Sequence, residues 1–216
     1  MSKRRISPAR PLNFWYERIA LIPGGRWQIR AYRSAHHPDG ETVGPGLPDG
    51  SFPADAVVAE VDLDSERRLR VVLSEWALPG APSLWFVRIP SESAGRPQES
   101  LVAYASSHFA DGTVITNAMF FTVPVRSSEQ IGAVRWWADS GLIDQVFVRE
   151  EERLAHVAMK LVYTADGVHQ HQGWPGRIHV GGERTDLGQR VVEARKNDTR
   201  VAPLTQRSRL RQGPQD

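Results

Sequence analysis

Apolar and polar positions along the chain alternate in short runs for most of its length and change period once, late in the sequence. Residues Asn13 to Ile22 and Arg26 to Arg33 are two aromatic and β-branched runs on either side of Pro23-Gly24-Gly25, which predicts a β-hairpin. Residues 34 to 55 are rich in Gly, Pro, Asp and His without apolar periodicity, the composition of a long loop or linker. Ala56 to Leu63 reads as a strand. The next segment fits two templates: Leu69, Val72, Leu73, Trp76 and Ala77 form a helical stripe, with Asp64 or Ser65 as cap and Pro79-Gly80 as stop, while Leu69, Val71 and Leu73 form a strand face. Ser83 to Ile89, Leu101 to Ser106 and Thr113 to Val123 are β-branched and aromatic between Pro, Gly and Asp, and are predicted strands.

Ile131 to Trp137 and Leu142 to Val148 are strand-like runs joined by Ala138-Asp139-Ser140-Gly141, a hairpin turn by composition. A helix starting at Ser127 is the alternative, since Ser127 and Gln130 have capping-box spacing. After Val148 the period becomes helical: Leu154, Val157, Ala158, Leu161 and Val162 line one stripe, Glu150, Glu151 and Glu152 sit where carboxylates favour a helix dipole, and Asp166-Gly167 supplies a stop. The predicted class is α+β, a mixed and mostly antiparallel sheet with flanking helices. The expected division is a basic segment with a hairpin appendage over 1–33, a linker over 34–55, the main domain over 56–196 and a basic, flexible tail over 197–216.

With 216 residues, 40% hydrophobic and 24% charged, the chain can hold one sizeable core. No apolar run is long enough to cross a membrane, and no apolar stretch follows the basic start as in a signal peptide, so a cytoplasmic protein without a membrane partner is expected. The absence of cysteine excludes disulfides, thiolate zinc sites and a cysteine nucleophile. The formal charge of +2 is unevenly spread. Residues 11–189 hold 16 Lys and Arg against 22 Asp and Glu, a net of −6, between basic ends. Those ends are solvated tails, or surfaces for nucleic acid or an acidic partner.

Candidate chemistry is sparse. His169 and His171 alternate on what reads as an extended segment, a spacing able to ligate a metal, but the sequence offers no third ligand and no metal site is expected. His36-His37 lies in the polar loop. Of Trp136-Trp137, a strand puts one ring in the core and the other on the opposite face. No Ser/His/Asp triad, phosphate-binding glycine loop or zinc pattern is present.

A strand running into a helix whose first amides are exposed is a device for holding an anion. Here Val148 and Arg149 lead through Glu150 to Glu152 into Arg153-Leu154-Ala155-His156-Val157-Ala158. Residues 131–192 resemble the GCN5-related N-acetyltransferase (GNAT) superfamily, in which two antiparallel strands precede a Gln/Arg-x-x-Gly-x-Gly/Ala loop and a helix. Arg153 falls on the first position of that pattern and Ala158 on the last, while His156 stands where the pattern has glycine. Arg184-Thr185-Asp186-Leu187-Gly188 resembles a stretch near the end of some phage and actinobacterial members. The resemblance implies an acetyltransferase-like protein using acetyl-CoA and an unidentified small-molecule or protein amine. Phe147 and Val148 would hold the pantetheine arm, and the amides of Arg153, Leu154, Ala155, His156, Val157 and Ala158 the pyrophosphate. Asp144, on the strand before the loop, is the candidate base. The rival expectation is a non-enzymatic binding or assembly protein working through its basic ends.

Overall fold

The structure, a computed structural model, describes residues 14–34, 42–43, 56–153, 156–181, 183–184 and 206–207, with side chains over 19–32, 57–153 and 156–181. Its frame is an eleven-stranded mixed sheet. The N-terminal hairpin pairs β1 (Phe14–Ile22) with β2 (Arg26–Ser34), in register from Phe14↔Ser34 to Ile22↔Arg26. A short β3 (Thr42–Val43) lies parallel to β1. The strands β4 (Ala56–Leu63), β5 (Leu69–Leu73), β6 (Trp85–Ser93), β7 (Arg96–Tyr104) and β8 (Thr113–Thr116) follow, then a helical turn α1 (Asn117–Phe120). The C-terminal third adds β9 (Gly132–Trp137), β10 (Leu142–Val148), helix α2 (Val157–His171) and β11 (His179–Val180). Across the sheet the order is β11-β10-β9-β7-β6-β8-β5-β4-β2-β1-β3. Neighbours are antiparallel except β1/β3, β6/β8 and β10/β11. Two further strands, β12 (Glu183–Arg184) and β13 (Gln206–Arg207), pair with each other in parallel. The class is therefore α+β with a mixed, mostly antiparallel sheet, and no helix among the described residues is long and apolar enough to cross a membrane.

Strand alternation sorts the core onto two faces. On one face Phe86, Leu101, Val134 and Trp136 meet Val157, Leu161, Ala165 and Val168 of α2, which crosses β4, β5, β7, β9 and β10. On the other, Trp85, Val87, Tyr104 and Ile115 are covered by Phe109, Met119, Phe120 and Val123. Trp85 stacks on Tyr104 at 4.7 Å between ring centroids. Trp136 faces the helix and is fully buried, whereas Trp137, on the opposite face, lies under the Arg96 guanidinium at 4.5 Å.

Several elements depart from the sequence pattern. Leu69 to Leu73 is a strand, and Ala77 follows in a turn. The run from Thr113 to Val123 is not one strand: Thr116 accepts the Met119 amide at 3.2 Å through its hydroxyl and starts α1, which aims Met119 and Phe120 at the second core cluster. Ser127–Glu129 makes only a 3-10 turn. The N-terminal hairpin is continuous with the sheet, since β2 pairs with β4 and Ile29 is in the core. The late helix neither starts at Glu150–Glu152 nor stops at Asp166-Gly167. Glu150–Glu152 form a separate 3-10 turn, and α2 runs past Asp166-Gly167 to His171. The glycine is there for contact rather than as a stop. A Cβ on Gly167 would stand 2.7 Å from Val71 Cγ1 and 3.4 Å from Val61 Cγ2, so only glycine lets the helix approach β4 and β5 this closely. His169 and His171 accordingly lie on the last helical turn, not on an extended segment.

Candidate functional site

The candidate site lies where β10 leaves the sheet and α2 begins. The hairpin turn before β10 ends in Gly141, whose φ is +74° and whose Cβ, were it present, would lie 2.1 Å from the Arg177 carbonyl. That close approach lets the chain returning from α2 settle beside β10 as β11. The parallel pairing spans only Leu142↔His179 and Ile143↔Val180. The next residue, Asp144, is the extra residue of a bulge against β9, which bends the strand and raises its local twist. From Asp144 to Val148, β10 has no partner on the β11 side among the described residues.

After the exposed polar Asp144 and Gln145, this edge presents one apolar side chain on each face. Val146 is 39% exposed on the helix side and Phe147 43% exposed on the other. Arg149 donates its amide to Ile131 O at 2.9 Å, so by alternation the peptide groups of Phe147 face β9 while those of Val146 and Val148 face outward. The Phe147 backbone is thus engaged within the sheet, and its ring is the part left exposed. Val148 combines an outward peptide group with a half-buried side chain packed on the core.

At the amino end of α2, His156 is the N-cap with φ +62° and ψ +8°, and its side chain caps nothing. His156 thus takes a left-handed conformation of the kind that glycine adopts without strain. Val157 is buried against Gly132, where an added Cβ would meet Val157 Cγ1 at 3.2 Å, Leu161 Cδ1 at 3.0 Å and Phe147 O at 2.9 Å. Ala158 is half-buried. Leu154 and Ala155 lie outside the described residues. Arg153 is exposed and pairs with Glu150 at 3.6 Å, and Arg149 pairs with Glu151. The Glu151 carboxyl is held below its ordinary range by its own backbone amide and by Arg149. Both guanidiniums at this mouth are therefore already engaged by carboxylates.

Asp144 is exposed, and its carboxylate is held from two sides. Arg135 Nε donates to Oδ2 at 2.7 Å and Gln98 Nε2 to the same oxygen at 3.5 Å, while Arg135 Nη2 reaches Gln145 Oε1 at 3.2 Å. The other oxygen, Oδ1, has no hydrogen-bond partner among the described residues. A carboxylate fixed through one oxygen and open at the other can position an ammonium or accept a proton from it.

The structure separates the two histidines. His169 is fully buried with both ring nitrogens bonded, whereas His171 is exposed. Among the described residues no group of three or more His, Asp or Glu side chains is arranged to hold a metal. The basic ends fall outside the described residues except for the backbone of Gln206–Arg207.

Sequence patterning passed over two buried polar contacts. Lys160 is 2% exposed and donates to Pro82 O and to Asp111 Oδ1, each at 2.6 Å. Asp111 Oδ1 also accepts the Leu84 amide at 2.7 Å. The available signal was a lysine on the same helix stripe as Val157, Leu161, Ala165 and Val168. The second contact, Trp136 to His169, had no signal along the chain because its members are 33 residues apart.

No protein-family model matches this chain, and comparison with curated proteins and with solved structures finds no match.

Proposed function

We propose that the chain is an acyl-CoA-binding protein of GNAT type, an N-acyltransferase-like scaffold that acts on an amine with a weakened transfer step. The observation that carries this reading is that the pairing of β10 with β11 ends at Ile143↔Val180 and that, among the described residues, none pairs with β10 on that side from Asp144 to Val148. It leaves outward peptide groups at Val146 and Val148 next to the amino end of a 15-residue helix. An open strand edge takes an extended chain that carries amides of its own, and a helix amino end favours an anion at one end of that chain. Pantetheine joined to a diphosphate has that form. The acyl-CoA would supply an activated thioester.

Val148 and Val146 would pair with the arm, Phe147 would cover it from one face, and the amides around His156, Val157 and Ala158 would face the diphosphate. Asp144 Oδ1 would take the amine proton. The resemblance also implies an acid for the leaving thiolate, commonly a tyrosine late in the domain, and residues 164–216 contain no tyrosine. This is the ground for a slow transfer step.

One feature favours the rival, a non-enzymatic binding protein. Two unit charges about 6 Å apart at an effective dielectric near 20 repel by about 3 kcal/mol, whereas a helix terminus contributes about 0.3–1 kcal/mol. The Glu150–Glu152 turn stands at the mouth with its nearest cations already paired. Titration of the protein with acetyl-CoA by calorimetry tests the reading: saturable binding supports it, and no heat at millimolar ligand favours the rival. Loss of salt-sensitive nucleic-acid binding on deleting residues 197–216 would support that rival directly.

A further inference from the structure

Arg135 of β9 points to the sheet face away from α2, since it alternates with Val134 and Trp136, which pack under the helix. The bulge in β10 sets two consecutive residues, Asp144 and Gln145, against it. One guanidinium grips both: Nε donates to Asp144 Oδ2 at 2.7 Å and Nη2 to Gln145 Oε1 at 3.2 Å. Gln98 of β7, only 7% exposed, donates its amide to the same Asp144 oxygen at 3.5 Å. The sheet thus fixes the Arg135–Asp144 pair before any ligand arrives, which lowers the ordering cost of binding.

What the pair leaves open is a donor beside an acceptor. A guanidinium carries five N–H donors in one plane. Two are used here, so both hydrogens on Nη1 and one on Nη2 have no partner among the described residues. Asp144 Oδ1 is open in the same sense. The Arg135 and Asp144 side chains are 43% and 31% exposed, so a ligand from solvent reaches both. A second pair on this face, Arg96 with Asp139, closes on itself bidentately at 2.8 and 2.7 Å with Arg96 over the Trp137 ring, and adds no net charge.

A simple ammonium drawn to Asp144 also meets the Arg135 cation bonded to that same carboxylate, and the two effects oppose each other. An amine that carries its own carboxylate gains on both sides: its ammonium bonds Asp144 Oδ1, and its carboxylate takes the free edge of the guanidinium in the planar pairing that suits arginine. We propose that Arg135 selects the amine substrate, restricting the Asp144 site to small zwitterionic amines of the α-amino-acid class. A lysine side chain within a protein, or the amino terminus of a peptide, has no carboxylate beside its nitrogen and is disfavoured by the same geometry. The inference rests on the proposed role of Asp144 in holding the amine, and it stands apart from the identity of the cofactor.

The test is a titration of the full chain, without cofactor and at constant ionic strength, with alanine, ethylamine and propionate. Ethylamine is alanine without its carboxylate, and propionate is alanine without its ammonium. The readout is the Arg135 Nε–H resonance together with the backbone amides of Asp144 and Gln145. Alanine should saturate with a Kd of about 1–10 mM, and ethylamine and propionate should each bind at least about tenfold more weakly. Arg135→Gln keeps an N–H donor for Asp144 and loses the charge, so it should bring alanine and ethylamine to within about twofold of each other. The wild-type comparison decides the matter even where the variant does not fold. Equal affinity of the wild type for alanine and ethylamine, no alanine binding at about 100 mM, or an unchanged alanine preference in Arg135→Gln would each overturn the selection. Because acetyl-CoA is absent throughout, alanine binding by a protein that binds no acetyl-CoA would sink the acyl-transfer reading alone, whereas acetyl-CoA binding without an alanine preference would sink only the selection by Arg135.

Discussion

The Lys160 ammonium stands 2.6 Å from Oδ1 of Asp111 and 2.6 Å from the Pro82 carbonyl, clamping α2 to the loops that precede β6 and β8. Removing one partner of a buried pair leaves the other charge without compensation, at about 3–5 kcal/mol when both are fully buried. The Asp111 side chain is 32% exposed, so part of that penalty is screened. Lys160→Met should destabilise the fold by about 2–3 kcal/mol in urea denaturation. Lys160→Met combined with Asp111→Asn should cost less than the sum of the two single changes.

Gly167 faces Val71 across the helix–sheet interface. Alanine would gain about 1 kcal/mol of helix propensity, but overpacking a core commonly costs about 1–3 kcal/mol. A Cβ at 2.7 Å from Val71 Cγ1 decides in favour of overpacking. Gly167→Ala should therefore destabilise by about 1–2 kcal/mol. Val71→Ala should relieve it, giving a double-mutant coupling of about 1 kcal/mol in equilibrium unfolding.

His156 holds a left-handed conformation without β-carbon relief. Glycine there would remove about 1 kcal/mol of strain and cost a similar amount of unfolded-chain entropy. His156→Gly should accordingly leave stability within about 0.5 kcal/mol of wild type. It should tighten acetyl-CoA binding at least about fivefold by opening the backbone to the diphosphate, as calorimetry would show.

Asp144 separates chemistry from stability. Its pair with Arg135 is solvent-accessible, and such pairs contribute about 0–1 kcal/mol. Asp144→Asn should hardly shift the unfolding midpoint. In acetyl transfer to a small amine, it should lower the residual rate about a hundredfold at saturating cofactor.

Elements driven by local pattern were legible in the sequence: the hairpin around Pro23-Gly24-Gly25, β4, β6, and the β9–β10 pair all follow from alternation and turn chemistry. The limits of α2 were not, because Asp166-Gly167 looks like a stop unless the Val71 contact across the core is known. The same mistake placed His169 and His171 on an extended segment, since a two-residue spacing has opposite meanings on a strand and on a helix. At the candidate site, Asp144 could be named from the chain. Its pinning by Arg135 and Gln98, and the end of the β10/β11 pairing at Ile143↔Val180, depend on pairings between distant segments that no local pattern encodes.

The edge of β10 beside α2 is the proposed seat of an acyl-CoA. Calorimetric titration of wild type, His156→Gly and a Glu150→Gln/Glu151→Gln/Glu152→Gln variant with acetyl-CoA tests it directly. Saturable binding by wild type that tightens in both variants is the predicted result. Absence of binding by all three proteins at millimolar acetyl-CoA, with each one folded, would contradict the claim.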